Sequence, residues 1–261
     1  MLQGKRNRRK KVDRDQLVSY LNSYLRVPEI KDKADNGLQV EGAGRVDKLA
    51  FAVDACMEAF RKTQEAGAQI LVVHHGLFWG ERLMLRDVHR QRVSFLLQHD
   101  ISLYAVHLPL DIHPEVGHNV QLARILDLEV TGNFGYYEGV LIGILAETKS
   151  ERPLSRLVGD LEKKLGVKMT VLNYGPQTIR RVGIISGGAA SMVQQASEKD
   201  LDLFLTGEPS HSAFHQIAER GLNVVYGGHY ATETLGLKAL AQHLKSKFHL
   251  QTEFLDIPTG F

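Results

Sequence analysis

Ile70-Leu71-Val72-Val73-His74-His75-Gly76 is an apolar run that stops abruptly at two imidazoles and a glycine. Four apolar residues in a row, without alternation, are the pattern of a strand buried on both faces, as in a parallel sheet. Sheets of that kind collect ligands at the carboxyl ends of their strands, which is where the two histidines fall. Adjacent strand residues normally point to opposite faces. The glycine that follows is expected to free the backbone, so that both rings turn toward one centre. Taken alone, the motif fits a pair of loop histidines without a ligand role equally well.

Working upstream, Lys48 to Asp54 reads as a strand and Met57 to Glu65 as a helix closed near Gly67. With the His74 strand they form a βαβ unit of right-handed crossover. Before them, Arg14 to Tyr24 carries Leu17, Val18, Leu21 and Tyr24 at helical spacing. Asp13 is placed to cap it and Pro28 to stop it. Asp35 to Val40 is a turn leading into a short strand.

Downstream, Phe78 and Trp79 read as a packed lid over an irregular stretch from Gly80 to Arg92. Ser94 to His99 reads as a helix and Ile101 to Val106 as a strand. That strand ends in His107-Leu108-Pro109-Leu110-Asp111, where Pro109 is read as excluding helix, so that a loop carries His107 and Asp111. Asp111 fits a metal ligand or a cap equally well. A helix follows from Gly117 to Leu126, then a strand over 138–146, a helix over 154–165 and strands over 168–172 and 181–186. Gly187-Gly188 opens a helix toward Lys199; without the rest of a phosphate-loop fingerprint the pair reads as close backbone packing.

The second half repeats the plan of the first. Twenty positions separate Asp54 from His74, and twenty separate Ser186 from Thr206. Each half then runs through a helix and a strand to a histidine followed four residues later by an acid, His107 with Asp111 and His229 with Glu233. The fold expected is α/β: two similar α/β units with helix-flanked, mostly parallel sheets, and a metal site at the strand ends between them. The division expected is a basic tail over 1–12, a first unit over 13–128 on which 229–261 packs back, and a second unit over 129–228.

Glu233 sits four residues after His229 in Gly227-Gly228-His229-Tyr230-Ala231-Thr232-Glu233, a spacing that shares one helix face. Together the candidate ligands are His74, His75, Asp111, His229 and Glu233, with His107 close by. Three imidazoles and two carboxylates are too many for one tetrahedral zinc with an open position. They suit two divalent ions with a bridging carboxylate. Nitrogen and oxygen donors without thiolate accept Zn, Mn, Fe, Co or Ni.

The composition, 43% apolar and 24% charged, is that of a globular protein. No apolar run approaches the length of a membrane span, and no signal-peptide pattern is present. Cys56 is the single cysteine, which excludes an internal disulfide and a cysteine-rich zinc site and fits a reducing cytoplasm. The net charge of +2 hides an asymmetry, because six basic residues fall within the first eleven. Removing those six from the 32 basic residues leaves 26 against 30 acidic ones, a body of about −4. The tail has no aromatic interleaving and reads as a disordered extension, and the negative charge of the body makes nucleic acid the least favoured partner.

Asn36-Gly37-Leu38-Gln39-Val40-Glu41-Gly42, the His74-His75-Gly76 motif, His107 to Asp111, Thr206-Gly207-Glu208-Pro209-Ser210 and Gly227 to Glu233 occur in the order seen in a known family. By these motifs the chain resembles the dinuclear metal-centre hexameric proteins, the NIF-three-like GTP cyclohydrolase I type 2 homologues. Leu108-Pro109 departs from the threonine that the family usually has after His107. The resemblance implies ligation by His74, His75, Asp111, His229 and Glu233, with Glu233 as the bridge. It also implies a toroidal homohexamer with its sites facing an internal cavity. The expected activity is hydrolysis by metal-activated water, with His107 or His211 shuttling the proton and a small molecule such as a nucleotide as substrate. For GTP, a substrate that comes from the family's name alone, attack on the imidazole carbon of the purine would release formate. The alternative is a metal-binding, metal-delivery or scaffold protein without turnover.

Overall fold

The computed structural model describes residues 11–261. The basic tail read from the sequence falls outside the described residues through residue 10. Val12, at its far end, already pairs with Val46.

In chain order the first elements are β1 (Val12–Asp13), α1 (Arg14–Tyr24), β2 (Gly37–Val40), β3 (Arg45–Val46), β4 (Lys48–Asp54), α2 (Met57–Glu65) and β5 (Ile70–His75). Then come α3 (Asp87–Gln98), β6 (Ser102–Ala105), α4 (Leu108–Asp111), α5 (His118–Ile125), β7 (Leu128–Tyr137), β8 (Val140–Pro153) and α6 (Leu154–Leu165). The chain continues through β9 (Thr170–Asn173), β10 (Thr178–Ile184), α7 (Val193–Ser197), β11 (Leu203–Thr206), α8 (Phe214–Arg220) and β12 (Asn223–Tyr226). It ends with α9 (His229–Thr232), α10 (Thr234–Phe248) and β13 (Gln251–Phe254).

Two larger sheets carry the fold. The first runs β13-β4-β5-β6-β2, with β2 antiparallel to β6 and the remaining pairs parallel. Its strands are apolar on both faces, so each face builds its own core. Phe51 and Val72 face α1 and α10, packing with Leu17, Leu21, Leu237 and Leu240. Ala52, Leu71 and Val73 face α2 and α3, packing with Phe60 and Leu96. The second sheet runs β7-β8-β10-β11-β12-β9. Its parallel character is confined to β10, β11 and β12, and its outer strands pair antiparallel. Leu203 and Leu205 face α5 and α6; Phe204 and Val224 face α7 and α8.

Local chemistry explains the helix ends. The Asp13 carboxylate accepts from the amides of Asp15 and Gln16 at 3.0 and 3.2 Å, satisfying two orphan donors at the start of α1. Leu154, Leu157 and Leu161 form the buried stripe of α6.

Three expectations are corrected. The hairpin of β7 and β8 is longer than the strand read over 138–146, and β7 is hidden in the sequence because Gly132 and Gly135 break its alternation. Helix α3 begins at Asp87, inside the stretch read as irregular; Leu96 alone is fully buried along it, so it shows little apolar period. Residues 108–111 form one helical turn rather than a loop. Pro109 is accommodated because amides of the first turn lack helical partners in any case.

Candidate metal centre

Three parallel strand ends from each sheet point into one crevice. β4, β5 and β6 deliver Asp54, the His74-His75 pair and His107. β10, β11 and β12 deliver Ser186, Glu208 and the His229–Glu233 turn. Helix α4 then returns Asp111 to the same place, one turn after His107.

Four imidazoles are oriented in one way. The Nδ1–H of His74 donates to the Val106 carbonyl at 2.9 Å, and that of His75 to the Asp54 carboxylate at 2.8 Å. His107 Nδ1 lies 3.1 Å from both oxygens of Asp32, and His229 Nδ1 lies 3.2 Å from the Glu208 carboxylate. An acceptor on Nδ1 fixes the tautomer, so the neutral ring turns the lone pair of Nε2 inward. Glu233 occupies the middle. Its Oε1 is 3.5 Å from His74 Nε2 and 3.2 Å from His229 Nε2, while its Oε2 is 3.4 Å from His75 Nε2. Asp111 Oδ1 is 3.6 Å from His74 Nε2 and accepts from the Ser186 hydroxyl at 3.0 Å.

Without an ion these groups compensate one another. Burial opposes charge on His74, but the Asp111 and Glu233 carboxylates overcome it and raise its pKa to about 9. The hydrogen bond to Glu233 raises His229 to about 9 against its burial, with Glu208 assisting. Burial would lift both central acids. Glu233 nonetheless lies well below the usual glutamate value, held there by His74 and His229, whereas Asp111 is raised. At the rim, burial raises the Asp32 carboxyl, but its contacts with His107 and the amides of Asn36 and Ala34 bring it down to about 2, so it stays ionised.

The donor set fits divalent metal. His74 Nε2 and Glu233 Oε2 are buried without a hydrogen-bond partner, a costly state that a cation would relieve. The chemistry is all nitrogen and oxygen. Groups of residues with ligand atoms within 4.8 Å of one another, able to hold an ion, are His74–Asp111–His118, His75–His229–Glu233 and His74–His75–His107. Gly187, at φ +66°, makes room: a β-carbon there would strike Glu233 Oε1.

The structure therefore gathers all five residues expected as ligands, together with His107. It leaves His211 exposed, in a short helical turn at 211–213 that does not line the site. The glycine of the founding motif acts differently from expectation. Gly76 has no positive φ; a β-carbon there would meet the Gln39 amide at 2.5 Å and Ala105 at 2.6 Å, so it provides space. Sequence reasoning misses Asp54, Asp32, Glu208 and His118. Asp54 and Glu208 are visible as acids at strand ends, whereas Asp32 and His118 carry no local signal. His118 is also the odd imidazole: the Gly236 amide donates to its Nδ1 at 3.0 Å, which puts the ring proton on Nε2. Burial, with His74 alongside, holds its pKa well below the usual histidine value.

Residues 12–259 match the family model described as Duf34/NIF3 (NGG1p interacting factor 3), and the chain belongs to that family. It is 44% identical over 250 residues to the "GTP cyclohydrolase 1 type 2 homolog" of Pyrococcus horikoshii, covering 95% of this chain and 100% of that protein. It is 40% identical over 252 residues to the Deinococcus radiodurans protein of the same name, covering 97% of this chain and 96% of that one. The crystal structure of TTHA1606 from Thermus thermophilus superimposes with a TM-score of 0.87 at 43% identity, covering 96% of this chain and 100% of that one.

Proposed function

We propose that the protein is a dinuclear metal-dependent hydrolase. The observation that carries this reading is the shared orientation of His74, His75 and His229, each held at Nδ1 by an oxygen and converging by Nε2 on Glu233, whose Oε2 is buried without a hydrogen-bond partner. His74, His75, Asp111, His229 and Glu233 would hold two divalent ions, which would lower the pKa of coordinated water toward neutrality and stabilise developing negative charge. The residues of the chain supply the rest. Asp54, Asp32 and Glu208 keep the imidazoles in the metal-binding tautomer. His107 lines the cavity beside the centre, where it can take up and return a proton. Ser186 holds Asp111 in place.

The substrate proposed is a purine or related ring, opened at a ring carbon, in keeping with the name "GTP cyclohydrolase 1 type 2 homolog" borne by relatives. Assembly as a homohexamer in the cytoplasm belongs to the same proposal and is checked by light scattering and fractionation. The decisive assay incubates metal-loaded protein with GTP and measures formate; His107→Gln should lower turnover about 10²–10⁴-fold with metal content unchanged. If loaded protein releases no formate or pterin from GTP while another substrate turns over, the GTP assignment falls.

A second reading, metal delivery or scaffolding without turnover, draws on the partial exposure of His75 and His229, which leaves one end of the centre open to exchange. Under it, Glu233→Ala removes metal and abolishes transfer to a client while no small molecule is ever hydrolysed.

A further inference from the structure

The outer end of the centre, at His75 and His229, has two openings. One is a cavity of about 470 Å³ with an aromatic and aliphatic wall that includes Trp79, Ile142, Ile185 and Met192. The other, of about 280 Å³, is lined by Val53, Asp54, Tyr230, Thr259 and Phe261. Both reach His75, Glu208 and His229, so these three side chains stand between the openings. The smaller one brings together the part-exposed carboxylates of Asp54 and Glu208 with the Thr259 hydroxyl. Among the described residues no Lys or Arg lines it. Behind these oxygens lies Glu233 Oε2, buried without a hydrogen-bond partner and 3.4 Å from His75 Nε2. An opening lined by charge of one sign concentrates counter-ions. Its oxygens can replace the waters of a hydrated divalent ion on the way to the imidazoles.

Thr259 and Phe261 belong to a strap, residues 255–261, that follows β13. Leu255 roots the strap: its side chain is buried and its amide donates to the Phe51 carbonyl at 2.7 Å. From Pro258 onward the strap is exposed. Tyr230, the neighbour of His229, fastens it. The Tyr230 hydroxyl donates to the Asp256 carboxylate at 2.9 Å and accepts from the Ile257 amide at 2.7 Å. The Tyr230 amide donates to the Phe261 backbone oxygen at 3.1 Å. Lys62 adds a bond to the Asp256 carbonyl at 3.2 Å. An exposed segment held at so few points opens at small cost, without unfolding the sheets on either side.

We propose that divalent cations enter and leave the centre through the smaller opening, and that the 255–261 strap, fastened by Tyr230, is its gate. The larger cavity then stays free for a substrate while an ion is exchanged. The proposal rests on the metal centre of the hydrolase reading and goes beyond it, because it holds whether or not a substrate is turned over.

The way out is the way in, so zinc release reports on the route. Zinc-loaded protein is mixed with a chromophoric chelator, at concentrations where the rate no longer depends on the chelator, and zinc per chain is measured beforehand. Tyr230→Phe keeps the ring but removes both hydroxyl bonds to the strap. It should speed loss of the more weakly held zinc about tenfold with the starting zinc content unchanged. Asp256→Ala, which removes one of those bonds, should speed it less. Met192→Trp, which fills the larger cavity, should leave the rate as it is. Unchanged release in both strap variants overturns the proposal, as does slower release in Met192→Trp. The two readings fail distinguishably. Two bound zinc ions with release indifferent to the strap remove the gate and leave the centre; fewer than two ions in the unsubstituted protein remove the dinuclear centre and the gate with it.

Discussion

The two ends of the centre are built from the same residue types but sit in different surroundings. At the deep end, His74 and His118 are wholly buried and Asp111 is 8% exposed. At the outer end, the His75 and His229 side chains are 20% and 28% exposed, and their supporting acids, Asp54 and Glu208, are 39% and 43% exposed. Glu233, 3% exposed, belongs to both. Burial strengthens each electrostatic contact and slows exchange, whereas exposure admits water and competing ligands. If the proposed centre holds two ions, the contrast predicts that the inner one is held more firmly and the outer one exchanges more readily.

Removing the shared residue should have the largest effect. Glu233→Ala is expected to bring metal content from about two ions per chain to below one, as read by elemental analysis of purified protein. Retention of both ions would show that the ends are independent. Glu208→Gln should be milder and one-sided. It takes from His229 the carboxylate that fixes its tautomer, which should weaken the outer ion about 10- to 100-fold and leave the inner one in place. Timed chelation, with one ion leaving quickly and the other slowly, checks this; equal loss of both would erase the distinction between the ends.

Much of this is legible in the sequence because strand ends announce themselves. The apolar run before His74-His75 and the two histidine–acid pairs spaced four apart are local patterns, and they point to all five central residues. The supporting acids are harder to see. Asp32 reaches His107 across 75 positions of sequence, and no local spacing encodes that contact. His118 follows Gly117 at the start of a helix, where it looks like an ordinary first-turn residue. Its place in the centre depends on how closely α5 approaches α10 at Gly236, where a β-carbon would lie 2.8 Å from the imidazole. The outer strands of the second sheet are obscured for a similar reason, since half-exposed strands with glycine breaks lack the strong run that marks β5.

The pH response should distinguish the ends less sharply, because each contributes one imidazole with a pKa near 9. In the metal-free protein His74 and His229 are raised from 6.5 to about 9. Both rings are therefore protonated at neutral pH. They contribute stability that is whole below about pH 6.5 and is lost as the pH rises through 9. Metal must expel those protons to bind. Apparent affinity should therefore fall as the pH drops below about 9, by up to about tenfold per unit for each proton displaced. Calorimetry of zinc binding in buffers of differing ionisation heat reads the proton count. Release of none at pH 7 would mean that the rings are already neutral.

The smallest effect on metal content is expected at His118, although its ring lies only 4.6 Å from that of His74. Proximity alone would make it a third ligand of the inner ion, but the direction of one hydrogen bond argues otherwise. The Gly236 amide can only donate, so His118 Nδ1 accepts, and the buried Nε2, which has no hydrogen-bond partner, carries a proton rather than a lone pair for a cation. His118→Asn can keep an acceptor for that amide, and should cost about 1–3 kcal/mol of stability while leaving the number of ions unchanged. His74→Asn, one ring away, should empty the inner position. If the two substitutions remove metal equally, the hydrogen bond has been read in the wrong sense, and the inner end is a three-residue site.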